Sequence, residues 1–419
     1  MIEKIKNTIK EIDQFFYKKF GSDKSTKPLE NIKEVQIIFL HLNKKDEETK
    51  VRFVGGCIRK VLCGEIVDDI DLATLLEPSE VKNKLIKENI KVIDTGISHG
   101  TVTAILNKKK FEITTLRKDI STDGRHANVE FTMNWNHDAA RRDFTINAIY
   151  ADIEGRIFDP LNGILDLKNG NIKFIGSPEA RIQEDFLRIL RYFRFYTQYS
   201  KIEHNQNIVK IIKKNINGLN KISNERIYDE LKKILKLKNL YNLFLNKVSK
   251  EIFLNIFPQF QYYKRLKIIN TFNQEIRSTI DSNLVIAILI IDDSNSYEYF
   301  CHKYKVSNKI KNRFKSISAN FEKIKSEDFY LKKNIREEIY LLGKETVLDL
   351  LIFSICINNK AEVFNVKNLI NYAKKYKIPK FPFTGEYLKK KGYVDGKELG
   401  KKLQSLEEQW IANDFTIEK

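Results

Sequence analysis

The residue pattern of this chain changes character once, at Asp159-Pro160, and that change constrains the fold more than any other feature. Before it, short apolar runs bounded by turn residues predict strands at 51–54, 70–73, 92–94, 101–106, 111–116 and 129–132, with helices after Gly56 and after Pro78. After it, helical spacing takes over at 184–199, 208–214 and 224–235 and continues to the end in segments rich in Lys, Leu, Ile and Asn. The expected class is therefore α+β, a small mixed-sheet head followed by an all-α neck, body and tail. The boundaries read as a helical extension over 1–45, the head over 46–160, the neck over 161–240, the body over 241–375 and the tail over 376–419. In the extension, Ile5, Ile9, Ile12 and Phe16 mark one helix and 35–42 a second, separated by the polar break Gly21-Ser22-Asp23-Lys24-Ser25. No fixed-period repeat is present.

The 419 residues, 42% of them hydrophobic, are ample for two to four domains with real cores. Lys and Arg number 74 against 55 Asp and Glu, a formal charge of +19 that points to a polyanionic partner, nucleic acid first. AT-rich coding sequence, which inflates Lys, Asn and Ile, explains the same excess equally well. Cys57, Cys63, Cys301 and Cys356 are scattered, as expected of reduced thiols in a cytoplasm. The N-terminal residues run into a polar amphipathic segment and no stretch reaches ~18 apolar residues, so neither secretion nor a membrane span is expected.

The chemistry is concentrated in Val54-Gly55-Gly56-Cys57-Ile58-Arg59, followed by Gly64 and then Asp69-Ile70-Asp71. A turn of small residues at Gly55 and Gly56 lets a triphosphate approach the backbone, and Arg59 can fork onto its phosphates. Asp69 and Asp71, at i and i+2 on a strand, project to one face. In-line phosphoryl transfer to a hydroxyl uses two ions roughly 3.5–4 Å apart, which two carboxylates suit. Oxygen ligands without nearby His or Cys favour Mg²⁺. The segment reads as a nucleotide-polymerising site.

Three further constellations each admit a bland reading. Arg141-Arg142-Asp143-Phe144-Thr145-Ile146-Asn147 can grip a triphosphate through its arginines and reach ribose hydroxyls through Asp143 and Asn147, or it is a surface salt bridge with Asn147 as a cap. Glu112, alternating with apolar residues over 111–116, is either a third carboxylate beside the Asp pair or an ordinary solvent-face glutamate. On a helix running 184–199, Asp185 and Arg188 are i,i+3 neighbours, and Arg191 and Arg194 continue the stripe. An Asp–Arg pair offers an acceptor beside a donor, the complement of the pairing edges of cytosine and adenine but not of uracil or guanine. A surface ion pair is the alternative. His137-Asp138 is read as incidental, since the chain lacks the clustered His and Asp ligands of an HD-type phosphohydrolase.

Five stretches in this order resemble the class II tRNA nucleotidyltransferases, the CCA-adding enzymes of the polymerase β-like superfamily, a branch that includes bacterial poly(A) polymerases. They are Val54-Gly55-Gly56 through Asp69-Ile70-Asp71-Leu72-Ala73-Thr74, Thr122-Asp123-Gly124-Arg125-His126-Ala127, Arg141 through Ala148, Glu184-Asp185 through Arg194-Phe195, and Ser223-Asn224-Glu225-Arg226-Ile227. The likeness is dense from residue 50 to 240 and returns from Thr384-Gly385 to Trp410-Ile411. The resemblance implies CCA addition to the tRNA acceptor arm from CTP and ATP, with no obligate protein partner. It assigns Gly56, Arg59 and Arg142 to the incoming nucleotide, Asp69 and Asp71 to Mg²⁺, and Asp185 with Arg188 to base templating. Arg191 and Arg194 complete the pocket, and segment 119–129 matches a flexible loop that helps switch from C to A. Lys60 departs from the family, which has an acidic residue after the arginine. The alternatives are a poly(A) polymerase, an enzyme adding only CC or only A, and a non-catalytic RNA-binding relative, against which both metal carboxylates speak.

Overall fold

The structure is a computed structural model that describes residues 29, 32–43, 50–96, 99–122, 127–357 and 363–417. The helix expected around Ile5 to Phe16 and the break at 21–25 lie outside the described residues, as do positions 123–126 of the loop motif. The contacts divide the chain into two compact units, Met1–Ser223 and Asn224–Lys419.

The second helix of the extension is present as α1, Lys33–Leu42. It buries Val35, Ile38, Phe39 and Leu42 at helical spacing, and Phe39 packs on Phe53 with ring centroids 4.8 Å apart. The head that follows comprises β1 (Val51–Val54), α2 (Gly56–Leu62), β2 (Asp71–Thr74), α3 (Pro78–Lys87), β3 (Lys91–Gly96), β4 (Thr101–Leu106), β5 (Lys109–Thr115), β6 (Arg117–Thr122) and β7 (Ala127–Phe131). It continues through α4 (Trp135–Ala140), β8 (Tyr150–Ala151) and β9 (Ile157–Phe158).

Seven strands form one sheet in the order β3-β4-β5-β2-β1-β8-β9, while β6 and β7 pair separately. β2 runs parallel to β5 and antiparallel to β1, so the sheet is mixed, as expected. Strand ends differ from the sequence reading by a residue or two where alternation is ambiguous. β6, α4, β8 and β9 were not expected. Segment 119–129, expected as a loop, is drawn into a hairpin over its described residues, because backbone pairing from Arg117↔Phe131 to Thr122↔Ala127 satisfies its polar groups.

Unit 1 continues with α5 (Gly163–Asn169), α6 (Pro178–Glu184), α7 (Arg188–Tyr199) and α8 (Gln206–Asn215). The expected single helix over 184–199 is broken. Asp185 adopts extended backbone (φ −153°, ψ 103°), and its Oδ1 accepts the Leu187 N–H at 3.1 Å. A short polar side chain that bonds the backbone two residues on competes with helix continuation, so α7 begins three residues later. Phe144, Phe174, Tyr192 and Phe195 pack as one aromatic cluster that locks α7 to the segment following Arg142.

Unit 2 is all helical among its described residues. Its helices Ser282–Ile290 and Lys344–Ile357 are apolar on nearly every side, which is why they form its core. Arg313 ties them together through Asp349, at 2.6 and 2.8 Å, and Asp281, at 2.6 Å. No helix among the described residues is long and apolar enough to cross a membrane.

Candidate active site

The carboxylates meet because of strand register. Asp71 opens β2 and stands beside Glu112 of β5 in the parallel pairing. Asp69 lies just outside the strand, a small correction to the expected i,i+2 strand pair. Alternation is retained, with Asp69 exposed, Ile70 buried and Asp71 half-buried. Burial, then the charges of Glu112 and Asp69, push the Asp71 carboxyl up to about 6, against the opposing pull of Arg142 and Arg59. Both neighbouring acids thus disfavour the charged form of Asp71.

Among the described residues no group of three or more His, Cys, Asp or Glu side chains is placed to hold a metal ion. The donor set is oxygen only, and Cys57, whose thiol burial pushes up to about 11, points its Sγ to the Val54 carbonyl at 3.2 Å.

The nucleotide side of the site is a chain of buried polar contacts. Gly55 has φ +69°, a conformation that favours glycine, and a Cβ at Gly56 would meet nothing within 4 Å, leaving room for an approaching ligand. Arg59 is 5% exposed. One of its Nη atoms donates to Asn147 Oδ1, and its Nε is buried without an acceptor among the described residues. The guanidinium also lies over the rings of Phe195 and Tyr199, at 4.6 and 5.3 Å. Asn147 in turn donates to Asp143 Oδ1 at 2.8 Å, and Asp143 Oδ2 accepts two bonds from Arg191 of α7, each 2.6 Å. Burial opposes ionisation of Asp143, but Arg191 and the Asn147 amide win and hold its carboxyl at about 2. Arg59, Asn147, Asp143 and Arg191 thus link the glycine turn to the neck helix.

The expected residues Asp143 and Asn147 therefore sit inside this link, each bonded to a neighbour on either side. Arg142 is held by Asp138, at 2.9 and 3.2 Å, and by the Tyr150 hydroxyl at 3.1 Å, while its Nη1 faces the Gly55 turn. Burial disfavours the Asp138 charge, yet Arg142 and Arg141 overcome it and hold the carboxyl well below the usual range. Asp138 is 1% exposed, so the His137-Asp138 dipeptide read as incidental contains the anchor of both arginines. The signal was its i,i+3 and i,i+4 spacing to Arg141 and Arg142.

The single helix expected to carry Asp185 and Arg188 together is also corrected. Arg188 is the first residue of α7, and its guanidinium bonds Glu184 at 2.6 Å and the Arg181 carbonyl at 2.9 Å. Asp185 is the C-cap of α6 and accepts the Leu187 N–H ahead of α7, so the pair does not share a helix face. Arg191 and Arg194 do lie on α7, both against the Phe195 ring at 5.5 and 4.2 Å. Lys60, the departure from the family pattern, pairs with Asp68 immediately before the acidic segment. Glu65, which sequence reasoning passed over, accepts from Gln198 at 3.0 and 3.1 Å and from the Tyr199 hydroxyl at 3.2 Å, tying the loop after α2 to α7.

The head matches the family described as poly A polymerase head domain over residues 51–173, and a second match, probable RNA and SrmB-binding site of polymerase A, covers 205–264. The chain is 35% identical over 382 residues to the mitochondrial CCA tRNA nucleotidyltransferase 1 of Homo sapiens, spanning 89% of this chain and 85% of that protein. It is 30% identical over 386 residues to the CCA-adding enzyme of Lactobacillus helveticus, spanning 88% and 90%. The chain belongs to the CCA-adding tRNA nucleotidyltransferases. The fold agrees: the CCA-adding enzyme of Bacillus stearothermophilus, solved in complex with CTP, superposes with a TM-score of 0.68 at 23% identity over 91% of this chain and 93% of that one. Within this nucleotidyltransferase the acidic segment, the glycine turn and α7 belong to one compact unit.

Proposed function

We infer that this chain adds CCA to the 3′ end of tRNA, using CTP twice and ATP once and releasing pyrophosphate each time. The carrying observation is that 30–35% identity to named CCA-adding enzymes runs through 88–89% of the chain, head and helical unit alike. A tRNA 3′ hydroxyl attacks the α-phosphate of the bound nucleotide. Asp69 and Asp71 are the residues assigned to Mg²⁺, which when bound sharpens the attacking oxygen and neutralises charge on the leaving pyrophosphate. Glu112 is assigned as the third carboxylate beside them. Gly55, Gly56, Arg59 and Arg142 are assigned to the triphosphate, while Asp143 and Asn147 hold Arg59 and Arg191 in place.

Asp185 and Arg188 are assigned to reading the base, and Arg191 and Arg194 to completing its pocket. In this reading the neck supplies the base-selecting residues, and the positively charged helical body and tail grip the acceptor arm by charge and shape. None of the four cysteines forms a disulfide, which accords with a cytoplasmic setting, the compartment proposed here. The test is incubation of the protein with tRNA lacking its 3′ end, Mg²⁺ and labelled CTP or ATP, followed by sequencing of the product ends. Ends of CCA support the reading; runs of A or a stop after CC replace it with poly(A) or partial addition. Asp71→Asn should abolish transfer of both nucleotides while leaving tRNA binding intact.

A further inference from the structure

An open cleft of about 470 Å³ at the start of β1 belongs to none of the groups assigned above. Its floor is the Trp135 indole, 7% exposed. The Arg52 guanidinium lies over that ring at 4.2 Å and over the Phe158 ring at 4.8 Å. Met133, Asn134 and Asn136 form the rim, with Met133 71% exposed. The indole Nε1 is buried and has no hydrogen-bond acceptor among the described residues. A flat cation on an aromatic ring, flanked by amides and an unused donor, is the equipment that binds an unstacked nucleobase.

The position of the cleft is set by register. Arg52 pairs with Ala73 across the β1–β2 ladder. Directly paired residues share a face, and so do residues two apart on one strand, which places Arg52, Ala73 and Asp71 on the same face. Arg52 lies one such step from the level of Asp71, about 7 Å along the strands. β1 runs from Arg52 toward Gly55, Gly56 and Arg59, so the carboxylates stand between the cleft and the triphosphate end. In-line displacement requires the attacking oxygen to approach opposite the departing pyrophosphate. With the triphosphate at the Gly56–Arg59 end, the acceptor strand must arrive from the Arg52 end.

We propose that the Arg52–Trp135 cleft holds an unpaired nucleotide of the acceptor RNA strand next to the reacting 3′ end, its base stacked on the Arg–Trp pair. The proposal rests on the reading that an RNA 3′ hydroxyl is the nucleophile. It assigns to the head a grip on the primer that is separate from the nucleotide pocket and from the charged helical unit.

The full-length chain carrying Trp410→Phe leaves Trp135 as its sole tryptophan. Its fluorescence should change on titration with tRNA that ends in its last unpaired nucleotide before CCA, and should not change with the same tRNA trimmed to a blunt acceptor stem. In steady state, Arg52→Ala and the surface variant Met133→Glu should each raise KM for that tRNA about fivefold or more, as expected for a lost base stack, with KM for CTP and the Mg²⁺ requirement unaltered. An equal fluorescence response to both RNAs, or an unchanged RNA KM in Met133→Glu, overturns the proposal. Because the titration needs no turnover, wild-type protein that binds in this way yet transfers no nucleotide refutes the proposed function and not the cleft.

Discussion

Replacing Asp143 by Asn removes one charge from the middle of the Arg59–Asn147–Asp143–Arg191 link while keeping its shape. The Asp143 carboxyl is 8% exposed and sits at about 2, against 3.8 for an ordinary aspartate. At roughly 1.4 kcal/mol per pH unit, that difference corresponds to about 2–3 kcal/mol of folding free energy carried by the ionised form. Because the folded-state value is depressed, this contribution is fully present above about pH 4 and is lost as pH falls through 2. Asp143→Asn should therefore lower the stability of unit 1 at pH 7 by about 2–3 kcal/mol, with the deficit shrinking as both proteins are taken below pH 4. Complete removal of the partner, Asp143→Ala, should cost more, ~3–5 kcal/mol, since it leaves Arg191 without its carboxylate and Asn147 without its acceptor. Urea unfolding followed by Trp135 fluorescence in a Trp410→Phe background reports on unit 1 alone. A deficit below about 0.5 kcal/mol at pH 7, or one of equal size at pH 7 and pH 3, would refute the assignment of Asp143 as an ionised buried partner, since linkage ties the two measurements together.

The raised value of Asp71 makes metal uptake compete with a proton, so the Mg²⁺ concentration for half-maximal CTP transfer should rise by up to tenfold per unit as pH falls below about 6 and level off above it; a flat profile from pH 5 to 8 argues against Asp71 as a ligand. Arg188→Ala should narrow the CTP/UTP ratio of kcat/KM, and Glu184→Gln, which releases Arg188, should narrow it less; proportional loss for both nucleotides would make Arg188 purely structural. Shortening segment 119–129 should leave C addition largely intact and stop the product before the terminal A, as read by mapping of product ends, whereas equal loss of C and A would leave the hairpin only a structural part.

The residues that touch one another locally were legible in the sequence. The strand and the glycine turn after it, the acidic pair and the change from period two to helical spacing at Asp159 all follow from backbone freedom and side-chain alternation over a few residues. One local feature was not legible: nothing in the apolar spacing of 184–199 marks the break at Asp185, because a turn closed by its side chain on the Leu187 N–H leaves the helical stripe intact on either side. The sequence by itself determined the family motifs and the succession of a mixed-sheet head and helices. Only the tertiary structure decided how those groups are wired. Asp71 meets Glu112 through parallel register, Arg59 meets Asn147 across 88 residues and Asp143 meets Arg191 across 48. No local rule forecasts such pairs, since a buried charge takes whichever partner the packed core brings within hydrogen-bond reach.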